Sequence, residues 1–536
     1  MSNRLGSERW KKGYHGMERA KRILALLIVI GGCQLLTPIG VNRPASAQQR
    51  TDIVVAQSPL LQRFDPINQI TTTDYMVHSL IYDGLVNLGP DGFYPALATE
   101  WKVSPDGMTI DFTLRKDVKF SNGDAFTAED VKFSFEGILS EKSTHGYRRI
   151  FVDSLREVEV VDPLHARFHM KQPWAAFFEE TRGGAMQAII PHAYYKSVGP
   201  EGFEKKPVGT GPYKLDSLKA GEWTRYVANE GYWQGPPAVK AVTQRLVKEP
   251  FTRLAQVQTG EADIAAGITG PLLLRARETS GLRVIYSRYN GTNSLQFQKG
   301  TNPLFKDKRV RLAIAHALDR AAMSQSILAG LCEPATHFFT PATFGFDASL
   351  SQIPYDPARA KQLLAEAGFK PGYETDFIIH SEEFASSPGG PEMLEAIAGA
   401  MEQLGFKLNR KRWDTAAYLR AQRGNLFTGV FYGTSVMPTD GGGLMSSYYI
   451  TGSIPNNGAI SLPEYDKFYA DQLKETDPKK RVEILHQFTK LERENVEAIP
   501  LFWCHYSFVL GPRVLEMKPG RGSAYHLNLN QAKLAK

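Results

Sequence analysis

His165 and His169 stand four residues apart, a spacing at which two imidazoles can share a metal ion on one face of a helix. They fall instead in EVEVVDPLHARFHM, two alternating runs around an Asp162-Pro163 turn, which reads as a hairpin. On a strand, positions i and i+4 lie roughly 13 Å apart, so a structural role is expected for each. VGTGPYKL, Val208 to Leu215, lacks the Gly-Lys-Ser/Thr ending of a phosphate loop and has a proline where the helix would begin. It reads as a tight turn between lobes. The chain has no His-Glu-x-x-His, no Gly-x-Ser-x-Gly elbow and no Walker loop, and His337 and His380 stand alone. No catalytic residue, metal site or cofactor follows from these residues.

Phe431 to Tyr449, FYGTSVMPTDGGGLMSSYY, has a different chemistry. It opens like a buried strand, then turns polar, aromatic and glycine-rich. Such a loop has room for a ligand, yet it carries one carboxylate, Asp440, and no base.

The elements that must position it form a long chain. With 536 residues, two or three domains are expected. Hydrophobic residues make up 42% and charged residues 22%, the balance of an ordinary globular protein. The formal charge of +7 is concentrated at the start. Residues 1–47 hold eight bases and two acids, +6, which leaves +1 (7 − 6) for the rest. No nucleic-acid partner or anionic membrane is implied. Lys21-Arg22, the apolar run ILALLIVI and ASAQQ at Ala45 to Gln49 read as a secretory signal cleaved after Ala47. The run is well short of the ~20 residues of a spanning helix. Met17 is an alternative start. IGGC, Ile30 to Cys33, resembles a lipobox, but QLLTP follows where a polar tether is usual, so cleavage at Ala47 is preferred. Export leaves Cys332 and Cys504 in an oxidising compartment. They could pair, but two isolated cysteines lack the density of a disulfide framework, and separate buried thiols are expected.

Strands and helices alternate downstream. DIVVAQ (Asp52 to Gln57) and MTIDFTLR (Met108 to Arg115) read as strands, and Thr127 with Asp130 as the capping box of a helix through AEDVKFSFEGIL. Helical spacing marks Arg309 to Leu328, Pro357 to Gly368 and Pro391 to Gly405; the strands ETDFIIH and KLNRKRW follow the last two. The pattern is that of α/β lobes, with no repeat and no long linker.

The stretch Ala98 to Glu136, ATEWKVSPDGMTIDFTLRKDVKFSNGDAFTAEDVKFSFE, resembles the signature of bacterial extracellular solute-binding proteins of family 5, the dipeptide-, oligopeptide- and nickel-binding components of ABC importers. VGTGPYKL, ANEGYWQGPPAVKAV, LAQVQTGEADI, NPLFKDKRVRLAIAHALDR and YDPARAKQLLAEAGF follow in the family's order over nearly all of the exported chain. The resemblance implies a two-lobed periplasmic-binding-protein fold with mixed sheets, a ligand cleft and an extra subdomain on the first lobe. By the same analogy lobe I combines residues 51–87, 207–288 and 500–536, its subdomain is 88–206, and lobe II is 289–499. It also implies hinge closure on a small solute and delivery to an inner-membrane ABC permease by a monomeric receptor, with no chemistry performed.

By that resemblance GVFYGTS enters the cleft, with Tyr432 lining the pocket beside Thr434 and Ser435. Peptide-binding members place an Asp a few residues after the aromatic residue to pair with the ligand's α-ammonium, because a buried ammonium needs a carboxylate. This chain has Ser435 at about that position; Asp440 is the nearest acid and could substitute. Dipeptide binders hold the peptide carboxylate with an Arg in the loop matching HSEEFASSPGG, His380 to Gly390, which here contains neither Lys nor Arg. A neutral, hydroxyl-rich or conjugated solute is therefore expected, with backbone-recognised oligopeptides as the alternative. Trp413, Thr72, Tyr75, Asn293 and His337 are further candidate contacts by the same analogy, against readings as core, capping, hinge-turn or packing residues. A periplasmic hydrolase would need a nucleophile with a base or paired carboxylates, which the candidate cleft loops do not supply.

Overall fold

The computed structural model describes residues 50–58, 60, 62–68, 75–89, 92–145, 148–181, 188–380, 389–414, 417, 420–421, 426–435, 440–451, 462–518 and 527–535. Everything below concerns the unit Thr51–Lys536.

Its largest element is an eleven-stranded mixed sheet. The strands are β1 (Asp52–Gln57), β2 (Tyr213–Lys219), β3 (Trp223–Ala228), β4 (Ala241–Leu246), β5 (Ile264–Ala266), β6 (Arg283–Phe297), β7 (Cys332–Pro334), β8 (Tyr373–His380), β9 (Phe406–Trp413), β10 (Val430–Ser435) and β11 (Ala498–Leu510). They run in the order β9-β8-β10-β6-β11-β5-β1-β4-β3-β2, with β7 paired to β11. β1 shows why this is a buried sheet. Ile53 and Val55 face one hydrophobic cluster, Val54 and Ala56 another, so the alternation of a strand feeds two cores at once.

β6 and β11 are the longest strands and pair antiparallel from Arg283↔Leu510 to Gln296↔Ala498. Their register shifts between Tyr286 and Tyr289, between Tyr289 and Thr292, and between Asn293 and Ser294. Such irregularities bend a ladder where a straight one would be stiff. On the far edge of β11, β5 pairs residues 508–510 and β7 pairs residues 502–504.

A separate four-stranded antiparallel sheet (Ala98–Val103, Thr109–Leu114, His165–Met170, Leu155–Asp162) carries the helix Ala128–Leu139. Here local sequence dictates structure: Asp130 accepts from the Thr127 amide at 2.8 Å, closing the expected capping box. Phe135 of this helix meets Phe168 edge-on and Phe177 stacked, and Phe112 and Phe168 meet their neighbours edge-on or tilted, each such pair worth about 0.5–1.5 kcal/mol beyond burial. His165 and His169 sit on one strand of this sheet, as expected, and face Asp162 and Glu159 respectively at 2.8 Å.

Four expectations need correction. The helix expected over Arg309–Leu328 is two, Lys308–Ala317 and Arg320–Ser326, because Leu318 is extended and Asp319 caps the second through the Ala322 amide. VGTGPYKL is less a turn between lobes than a close approach inside one region. The Gly211 amide donates to Ile81 O at 2.8 Å, and a methyl at Gly209 would lie 2.2 Å from that oxygen. The glycines after Asp440 are not loop but the start of the helix Gly441–Tyr448. Cys332 and Cys504, expected as separate thiols, form a disulfide between β7 and β11. Sequence density could not reveal it, since the pairing depends on two strands meeting 172 residues apart.

Candidate functional site

β8, β9 and β10 run parallel, so their carboxyl ends, His380, Trp413 and Ser435, lie at one edge of the sheet. β4, β1 and β5 form a second parallel trio, ending at Leu246, Gln57 and Ala266. In open α/β sheets ligands bind outside such ends.

The sheet brings several of the candidate residues together. Asn293 of β6 is opposite Thr434, Thr292 opposite Ser435, and Leu295 opposite Tyr432. On its other side Asn293 is opposite Phe502, and Thr292 opposite Trp503. Asn293 is buried, and Tyr432 belongs to the hydrophobic cluster of Leu295, Val430 and Ile499. The side chains of Thr434, Ser435 and Tyr75 lie outside the described part, as does Thr72 entirely; Tyr75 opens the helix Tyr75–Ile81.

Trp413, half-buried at the end of β9, stacks on Phe427 at 5.6 Å, and Phe427 on Phe431 at 4.8 Å. The stack runs from strand end to strand interior and gives Trp413 a fixed plane. His337 is fully buried. Its Nδ1 is 2.8 Å from Thr336 Oγ1, its Nε2 accepts from the Asp347 amide at 3.3 Å, and its ring stacks on Phe346. Burial pushes its pKa down to about 4, so the imidazole is neutral at pH 7. Trp503 is edge-on to it and donates from Nε1 to His337 O at 3.3 Å.

Asp440 is fully buried and fully engaged. Its Oδ1 accepts from Gly442 N at 2.8 Å, which caps the helix Gly441–Tyr448, and from Arg481 Nη2 at 2.5 Å. Its Oδ2 accepts from Arg481 Nη1 at 2.7 Å. Gln472 Oε1 accepts from the same guanidinium at 2.7 and 3.1 Å. A bidentate fork of this kind is among the strongest neutralisations a carboxylate can have. Asp440 thus holds a helix in place, and Arg481 and Gln472 belong to its surroundings. Sequence reasoning missed both, for nothing local marks a residue 41 positions away as the partner. Among the described residues, no group of three His, Cys, Asp or Glu side chains is arranged to hold a metal ion.

Comparison with solved structures defines the class of protein. MoaA of A. tumefacien R10, solved in complex with mannopinic acid, is 25% identical with a TM-score of 0.79; the match covers 91% of this chain and 100% of that one. The fold is the two-lobed periplasmic-binding-protein fold with mixed sheets, a cleft between the lobes and a subdomain on the first. Within that class, the chain belongs to the bacterial extracellular solute-binding proteins, family 5, whose model of the middle region matches residues 92–456. Heme-binding protein A of Haemophilus influenzae is 30% identical over 494 residues, 86% of this chain and 88% of that protein. Glutathione-binding protein GsiB of Salmonella paratyphi A is 30% identical over 468 residues, 84% and 88% of the two. The chain is a solute-binding receptor of the ABC-importer kind. Its relatives are binding proteins, and the family's members are periplasmic.

Proposed function

We propose that this receptor captures a neutral, hydroxyl-rich or conjugated solute rather than a dipeptide, and delivers it as a monomer to an inner-membrane ABC permease. One observation carries the reading. Asp440, the acid nearest the position where peptide-binding members hold an α-ammonium, has both oxygens committed to Arg481. A zwitterionic dipeptide would have to desolvate its ammonium without a partner, which is costly. The loop from His380 to Gly390 offers neither Lys nor Arg to the carboxylate end. Relatives with glutathione, heme and mannopinic acid as ligands show how far chemistry varies on this scaffold.

In this reading the solute meets the carboxyl ends of the two parallel trios. Asn293, Thr434 and Ser435 supply hydrogen bonds, Trp413 and Tyr432 supply apolar faces, and Thr72 and Tyr75 approach from the other lobe. Lobe I comprises 51–87, 207–288 and 500–536 with its subdomain at 88–206, lobe II comprises 289–499, and the signal is cleaved after Ala47. Catalysis has no part in it.

The test is Ser435→Asp, compared with wild type after gentle purification from a periplasmic extract. The species released from wild type should be retained at least tenfold less by the variant, which gains α-amino ligands. Equal retention by both proteins would contradict the assignment of Ser435 to the site.

A further inference from the structure

The disulfide lies at one particular point of the long sheet. On the far edge of β11, β5 pairing starts at Phe508 and β7 pairing ends at Cys504. His505, Tyr506 and Ser507 lie between the two strand partners, with Ser507 O still accepting from Gly267 N at 2.8 Å, and the stretch coincides with the register shifts of β6 around Tyr289. Cys504 is the last residue before that stretch, and Cys332 holds it from β7.

The residues leading into Cys332 touch both sides of this crossing. Cys332 itself belongs to the hydrophobic cluster of Leu295, Ile314 and Phe502. Its neighbour Leu331 packs instead on the cluster of Val54, Ile268 and Leu273. A methyl at Gly270 would lie 3.2 Å from Ile327 O, so the turn rests directly on the start of the helix Gly270–Glu278. That turn is tight. Ala329 and Gly330 have φ of 56° and 69°, the Gly330 amide donates to Ser324 O, and Ser324 Oγ donates to Cys332 O at 2.6 Å.

We propose that Ile327–Cys332 is a strap across the hinge, fixed at one end by the Cys332–Cys504 bond, that limits rotation of the lobes about His505–Ser507, a hinge that moves residues 500–504 from lobe I to lobe II, with the cluster of Phe502 and Cys504. The inference rests on the two-lobed closure of the proposed function, but not on which solute is bound. Without the covalent end, the turn keeps its backbone bonds to Met323 and Ser324, the β7–β11 pairing and the packing of Leu328 and Leu331, but loses the covalent link between the turn and β11, and the lobe carrying Gly270 is less restrained.

The experiment uses the full exported chain without added solute, as wild type and as Cys332→Ser/Cys504→Ser, with hydrogen exchange and small-angle scattering as readouts. Exchange in segments 264–273 and 326–334 should rise at least tenfold together in the variant, while the strand Thr109–Leu114 is unchanged. The scattering should show a broader distribution of interlobe separations. A rise confined to 326–334, an equal rise everywhere, or an unchanged scattering profile would overturn the proposal. If the double variant fails to fold, wild type reduced with a phosphine after folding is read by the same two measurements and the same outcomes. Solute binding enters neither readout, so failure here is distinct from failure of the proposed specificity.

Discussion

Arg481 holds both carboxylate oxygens of Asp440 at 2.7 and 2.5 Å, with both side chains buried and the guanidinium 5.0 Å above the Phe344 ring. The pair ties the helix Pro478–Asn495 to the start of the helix Gly441–Tyr448, the element that follows β10. Removing one partner strands the other charge without water, at a cost of about 3–5 kcal/mol. Arg481→Met should therefore lower the unfolding free energy by about that much in urea titration. Asp440→Leu combined with Arg481→Met should recover most of the loss. A double variant no more stable than the single one would show that the pair is not the cause.

Gly442 is forced by its neighbours. A methyl there would lie 2.6 Å from Gln472 Oε1, the same oxygen that accepts from Arg481. Gly442→Ala should cost about 1–3 kcal/mol despite the better helix propensity of alanine. Thermal unfolding checks it, and an alanine variant of raised Tm would contradict it.

His337 gives the protein a dependence on acid. Its folded pKa, lowered by burial to about 4, lies below the ordinary 6.5, so between those values the unfolded chain binds the extra proton. The contribution is complete above about pH 6.5 and is lost as pH falls toward 4, on the order of 3 kcal/mol in all. His337→Gln should flatten that part of the stability–pH curve. A variant with the wild-type slope between pH 4 and 6.5 would refute it.

Glu492 works in the opposite direction. Burial raises its pKa from 4.5 to about 8, and its Oε1 has no hydrogen-bond partner. Between those values the folded state binds the extra proton, so this group's contribution declines as pH rises from 4.5 to 8. Glu492→Gln should stabilise the protein at pH 8 and remove that decline, as read by urea titrations across the range. A variant less stable than wild type at pH 8 would contradict the assignment.

Much of this was legible from local chemistry. The Thr127–Asp130 box, the Asp162-Pro163 hairpin and the strands ending at His380 and Trp413 depend on neighbours in sequence, and each stands where expected. What sequence could not show depends on tertiary contact. The Arg481 fork, the Cys332–Cys504 bond and the helical start at Gly441 each need a partner brought from afar; for Gly441 it is Phe339, whose ring leaves no room for a side chain. Leu318 broke a continuous helical pattern because Asp319 prefers to cap, a competition that apolar spacing does not register. Asp440 belongs to the same lesson. As a sequence neighbour of Ser435 it looked available to a ligand, and in the fold both of its oxygens are taken.

The most direct measurement is native mass spectrometry of the wild-type protein taken gently from a periplasmic extract, followed by identification of what it releases. The account predicts one neutral, hydroxyl-rich or conjugated species. A ladder of peptides would contradict it and restore the backbone-recognising oligopeptide receptor as the better description.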